Sequence, residues 1–292
     1  MYKGSYVAIV TPFKDGNLDE KGLKRNIKFL VKEGSSGVVA CATTGEAPSL
    51  SDDEFENVLR ISVEETENKV PIIAGAGTNS TTKTIKLIHK VEDCGCQGAL
   101  VVTPYYNKPT QEGLYQHYQQ ISKESNIPII IYNVPGRTGC NILPKTVAKL
   151  AKDCKNIVGI KEASGNLDQV SEIQKLCGDG FDILSGDDSL TFPMLAIGAK
   201  GVISVVANIL PDDVALMCKL FFEGKIKQAR EIHLKLFPVI KALFIETNPI
   251  PIKKAMELMG MSAGKPRLPL VEMSPKNITF LKKRLIEYGI EL

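Results

Sequence analysis

Asn156-Ile157-Val158-Gly159-Ile160-Lys161-Glu162-Ala163-Ser164-Gly165 is an apolar run that closes on a lysine and then turns polar. An almost wholly apolar run of this length reads as a strand covered on both faces, the pattern of a parallel sheet. Gly37-Val38-Val39-Ala40-Cys41 and Pro128-Ile129-Ile130-Ile131-Tyr132 have the same character. Lys161 is out of place at the end of such a strand. Burying an ammonium is costly unless the group loses its charge or finds a specific partner. A lysine amine held in a closed pocket can attack a ketone to form a Schiff base. The alternative is a strand-end lysine that reaches solvent.

Outward from this run, strand-like segments alternate with helical patterns as far as residue 223. The strands begin near Ser5, Gly37, Val70, Gly98, Pro128, Ile157, Phe181 and Gly201. These intervals each suit a strand, a loop and one helix. Helix starts are marked between them. Ser51 stands three residues before Glu54, the spacing of a capping box, and Pro211-Asp212-Asp213 puts proline and acid in a first turn. Eight such units predict a (β/α)8 barrel over residues 1–223. A doubly wound open sheet is the alternative. Beyond it, helical patterns at 225–245, 250–259 and 275–288 follow one another without strands, so residues 224–292 are expected to form a helical extension packed on the barrel.

Composition limits the function classes. The chain has 292 residues, 43% hydrophobic and 24% charged, with a net charge of +3. No basic block interleaved with aromatics points to nucleic acid. No apolar stretch approaches the ~18 residues of a membrane span, and the N-terminus lacks a signal-peptide layout. Seven cysteines without a C-x-x-C motif, with Cys41 and Cys218 in apolar surroundings, suggest a reducing cytoplasm. His89, His117 and His233 lie far apart on helical patterns and read as surface residues. No metal or other cofactor is expected.

Polar residues gather after the strands: Ala42-Thr43-Thr44-Gly45-Glu46, Thr103-Pro104-Tyr105-Tyr106-Asn107, Tyr132-Asn133-Val134-Pro135-Gly136-Arg137-Thr138-Gly139, Lys161, and Ser185-Gly186-Asp187-Asp188. In a (β/α)8 barrel these ends meet on the face that carries active sites. With a period of two, Ile157, Gly159 and Lys161 share a face, as do Pro128, Ile130 and Tyr132. Lys161 then points into the barrel mouth, Gly159 leaves room beneath it, and Tyr132 approaches from the next strand. Schiff-base formation moves protons, which a tyrosine hydroxyl can carry; Tyr132 could equally be a core tyrosine. Thr43 and Thr44 could bind a small carboxylate or simply cap a helix. Arg137 could grip a carboxylate in two bonds or lie on the surface.

Together, Thr43-Thr44-Gly45-Glu46, Tyr132-Asn133-Val134-Pro135-Gly136-Arg137-Thr138 and Gly159-Ile160-Lys161-Glu162-Ala163-Ser164-Gly165 resemble the signatures of the pyruvate-dependent class I aldolase and N-acetylneuraminate lyase family. The resemblance extends to Glu246-Thr247-Asn248-Pro249-Ile250-Pro251. It implies that Lys161 forms the Schiff base with pyruvate. It also implies that Tyr132 moves protons with Thr44 and with Tyr106 of a neighbouring subunit. Thr43 and Thr44 would lie near the pyruvate carboxylate, with Gly186 and Ile203 lining the pocket. Arg137 favours the branch that condenses pyruvate with L-aspartate 4-semialdehyde on the way to lysine and diaminopimelate; a sugar-acid aldolase is the alternative. The family implies a homotetramer built as a dimer of dimers.

Two departures from the family pattern stand out. Ala42 replaces a frequent glycine, with little consequence expected. Lys83 stands where lysine-inhibited members tend to carry glutamate, and Asp52 and Phe55 where they tend to carry histidine, while Asn79 and Tyr105 are kept. A cation at 83 would repel the ammonium of a lysine effector, so weak or absent lysine inhibition is expected.

Overall fold

The alternation read from the sequence is present throughout the computed structural model, which describes residues 1–292. After β1 (Gly4–Ala8), a hairpin of β2 (Phe13–Lys14) and β3 (Asn17–Leu18) leads into α1 (Glu20–Lys32). There follow β4 (Gly37–Ala40), α2 (Asp52–Thr66), β5 (Ile72–Gly75), α3 (Thr81–Asp93), β6 (Gly98–Val102) and α4 (Gln111–Lys123). Next come β7 (Ile129–Asn133), the one-turn α5 (Pro135–Thr138), α6 (Pro144–Asp153), β8 (Ile157–Glu162) and α7 (Leu167–Cys177). The alternation ends with β9 (Asp182–Ser185), α8 (Thr191–Ile197), β10 (Gly201–Ser204) and α9 (Pro211–Phe222). Three helices, α10 (Ile226–Leu243), α11 (Ile250–Leu258) and α12 (Pro275–Tyr288), follow without strands.

Hydrogen-bonded neighbours run β1-β10-β9-β8-β7-β6-β5-β4, the order of a closed (β/α)8 barrel. The open-sheet alternative is thereby removed. Each of the eight strands starts close to its predicted position. The hairpin β2–β3 is new: two-residue strands are too short to show a period. Every residue of β4, β7 and β9 is buried, as apolar runs covered on both faces require. Ser51 and Glu54 form the expected reciprocal capping box, and Pro211 opens α9 with Asp212 and Asp213 in its first turn. No helix is long and apolar enough to cross a membrane.

The chain divides into two compact units. One, residues 1–3 and 73–203, contains the parallel ladder from β6 through β9. Its register holds one irregularity. Ile129 pairs with Ile157 but Ile130 pairs with Gly159, so Val158 is an extra residue in β8. The simple period-two reading therefore fails at Val158 and resumes at Gly159, which leaves Tyr132 directly opposite Lys161. The other unit, residues 4–72 and 204–292, contains the parallel pair β1–β4, with α1 against α2 and α10 against α9 and α12.

One sequence expectation needs correction. His117 is not a surface residue: it is 7% exposed on α4, its Nδ1 2.9 Å from Thr81 Oγ1 and its ring edge-on to Tyr118. The helical period assigns a face only when its neighbours are known, and here α3 covers that face. Cys41 and Cys218 are buried, as expected.

Candidate active site

Lys161 is 4% exposed at the end of β8. The solvent-reaching alternative for this residue is excluded. Its Nζ lies 4.4 Å from the centroid of the Tyr132 ring, and Tyr132 is 7% exposed on the adjacent strand. The register pair Tyr132–Lys161 explains the contact, because opposite residues on neighbouring parallel strands project to the same side. Imine chemistry calls for an amine and a proton carrier, and a buried amine packed on a phenol ring offers both kinds of group in one place.

Room for the Lys161 side chain comes from Gly186, not from Gly159. A Cβ on Gly186 would fall 2.7 Å from Ala163 Cβ and 3.1 Å from both Cγ and Cε of Lys161. The bare backbone there is what lets the lysine stem lie flat. A Cβ on Gly159 would instead strike the carbonyl oxygen of Asp182 at 2.4 Å, so that glycine permits the close approach of β9. Spacing along one strand cannot distinguish these two uses of glycine.

Behind Lys161, on the other side of β8, the Glu162 carboxylate is 1% exposed. It accepts hydrogen bonds from Asn133 Nδ2 at 2.9 Å, Gln169 Nε2 at 3.1 Å and the Ser164 N–H at 2.6 Å. Asn141 closes the set by bonding both Asn133 and Gln169. A buried carboxylate is tolerated only when its lone pairs are filled. Asn133 and Glu162 directly follow Tyr132 and Lys161, so the network pins the two strand ends that carry the amine and the phenol. The sequence reading missed it; the one available signal was a run of polar residues at the ends of apolar strands.

Arg137 is exposed within α5, and Tyr106 is 89% exposed in the loop after β6 at a left-handed φ of 75°. The two loops are tied together. The Tyr106 N–H donates to the Thr138 carbonyl at 3.3 Å, and Thr103 Oγ1 donates to Thr138 Oγ1 and to the Cys140 carbonyl, each at 3.4 Å. A left-handed tyrosine is a strained residue that only surrounding contacts maintain. Ile203, 1% exposed, lies in β10.

Thr43 and Thr44 follow β4 in the second unit. Two non-glycine residues in the left-handed region bracket them, Cys41 at φ 50° and Glu46 at φ 53°. Thr43 is half-buried, and Thr44 is 2% exposed and accepts from Asn248 Nδ2 at 3.0 Å. Helix capping does not explain Thr44, whose hydroxyl is engaged by a residue 204 positions away. Glu46 forms a buried ion pair with Lys253 at 2.6 Å, and its second oxygen accepts from the Arg267 N–H at 2.9 Å. Lys253 also donates to the carbonyls of Thr11 and Lys265, each at 3.3 Å. Burial pushes the Lys253 amine below its ordinary range, against the pull of Glu46, which raises it. Lys253 and Asn248 escaped the sequence reading. A lysine on the apolar face of α11 was the visible clue.

The first 287 residues match the family model described as the dihydrodipicolinate synthetase family. The curated 4-hydroxy-tetrahydrodipicolinate synthase of Geotalea uraniireducens is 52% identical over 290 residues, 99% of this chain and 100% of that one. The crystal structure of dihydrodipicolinate synthase from Thermotoga maritima superposes with a TM-score of 0.98 at 47% identity, covering 100% of both chains. The chloride-inhibited dihydrodipicolinate synthase of Acinetobacter baumannii, solved with pyruvate, gives a TM-score of 0.96 at 40% identity, over 99% of each chain.

Proposed function

This chain belongs to the dihydrodipicolinate synthetase family, and from that premise we propose that it condenses pyruvate with L-aspartate 4-semialdehyde to give 4-hydroxy-tetrahydrodipicolinate, in lysine and diaminopimelate biosynthesis. It is a Schiff-base-forming lyase, and we assign the nucleophile to Lys161. The observation that carries the assignment is the buried amine 4.4 Å from the Tyr132 ring, packed on Gly186.

The chemistry follows from those groups. The Lys161 amine adds to the pyruvate ketone, and the carbinolamine loses water to give an imine. Loss of a proton from the pyruvate methyl group gives an enamine, whose carbon forms the new C–C bond with the aldehyde. The substrate's own amine then displaces Lys161 at the imine carbon and closes the ring. Each step moves a proton, and the carriers proposed are Tyr132, Thr44 and Tyr106. Thr43 and Thr44 are assigned to the pyruvate carboxylate. Arg137 is assigned to the carboxylate of the semialdehyde, where a planar fork of donors suits two oxygens. Gly186 and Ile203 are assigned to the pocket wall. The exposure of Tyr106 supports its use across a subunit interface in a homotetramer, and the cysteine usage supports a cytoplasmic setting.

Pyruvate consumption with aspartate semialdehyde, without added metal, tests the reaction. Borohydride with pyruvate should leave a covalent adduct on Lys161. Lys161→Ala should lose the adduct and at least about 10³-fold of turnover while keeping its circular dichroism. A trapped adduct without turnover of the semialdehyde would move the assignment to a sugar-acid aldehyde. An active Lys161→Ala would remove the nucleophile assignment.

A further inference from the structure

The segment Glu246-Thr247-Asn248-Pro249-Ile250-Pro251 has no place in the chemistry above, yet its Asn248 touches a residue that does. Asn248 is 5% exposed, and its Nδ2 donates to Thr44 Oγ1 at 3.0 Å. An amide nitrogen can only donate. The Thr44 oxygen must therefore accept, and its own proton must point elsewhere. The hydroxyl is left with one proton to give and one lone pair to receive, which is the state a proton relay needs. A threonine hydroxyl without such a partner would rotate or turn back onto a backbone carbonyl.

The placement of Asn248 is itself fixed. Five residues on, Lys253 grips Glu46, two residues beyond Thr44, through a buried ion pair at 2.6 Å. The Lys253 N–H donates to the Pro249 carbonyl at 3.0 Å, and the Ile250 N–H to the Thr247 carbonyl at 2.9 Å. One segment thus holds the Thr44 turn at two points, and only one of them meets a side chain given a chemical role.

We propose that Asn248 is a positioning residue that sets the direction of the Thr44 hydroxyl proton. The inference rests on the reading of Thr44 as a proton carrier. Asn248→Asp replaces the donor with an acceptor and turns the Thr44 proton inward, toward residue 248. Its kcat should fall by about 10²-fold, the range of a lost proton transfer. At saturating pyruvate the final extent of borohydride trapping should stay within about threefold of the parent, which a collapsed site would not allow. A double-mutant cycle separates this from a structural effect. In a Thr44→Val background Asn248→Asp should cost little more, because the hydroxyl it misdirects is gone. Asn248→Ala runs through the same cycle should there be no cooperative melt for the aspartate variant.

Full activity in Asn248→Asp, or independent multiplication of the two effects, overturns the proposal. Failure of the underlying reading looks different: Thr44→Val would then retain parental turnover, or the parent would not be trapped by pyruvate.

Discussion

Lys83 is exposed in the first turn of α3, beyond the Ser80 hydroxyl that caps it. In the same unit, Asn107 Nδ2 donates to the Asn79 carbonyl at 2.8 Å, and Tyr105 is 41% exposed. An amino-acid effector whose ammonium sat at position 83, as the family resemblance implies, would meet the exposed Lys83 cation, and the repulsion is of order 1 kcal/mol even through water at close range. L-Lysine titrated into the condensation assay should therefore inhibit weakly or not at all; a submillimolar inhibition constant would refute this. The same scale shows what a sequence reveals of a site. Lys161 betrays itself because a charge at the end of an apolar run is costly. Gly186 does not, because its value lies in the stem of a lysine 25 positions earlier in the chain.

At the scale of elements, α3 and α4 enclose His117. Burial holds its imidazole down to about 4, from an ordinary value of 6.5. The native state therefore binds no proton there until pH nears 4, whereas the unfolded chain takes one up below 6.5. Stability from this group is intact above pH 6.5 and falls as pH drops toward 4, by up to about 3 kcal/mol. Urea denaturation of the parent and of His117→Gln should show a steeper loss in the parent across that window. Parallel curves would mean that the buried imidazole is not responsible. Strand positions and helix caps were legible because period and capping are local, whereas His117 and the extra residue Val158 depend on what lies opposite.

For the whole molecule, long-range polar contacts hold the Thr43-Thr44 turn. Lys253 of α11 reaches Glu46 across 207 positions, with side chains 1% and 2% exposed. Leaving one member of a buried pair without the other costs about 3–5 kcal/mol. Lys253→Met should lose that much in denaturant titration, and Glu46→Gln added to it should restore at least half. A single variant that costs under about 1 kcal/mol would show that the pair is not a structural link.

The sequence by itself determined the eight-strand alternation, the helices after residue 223, the family signatures and Lys161. Apolar period, turn residues and the cost of burying charge are all written in adjacent positions. Only the tertiary structure decided that Tyr132 faces Lys161, that Gly186 rather than Gly159 makes room for it, and that Asn248 and Lys253 hold the turn carrying Thr44. Those relations join residues far apart in the chain, and a hydrogen bond or a steric gap exists only once folding has brought its two sides together.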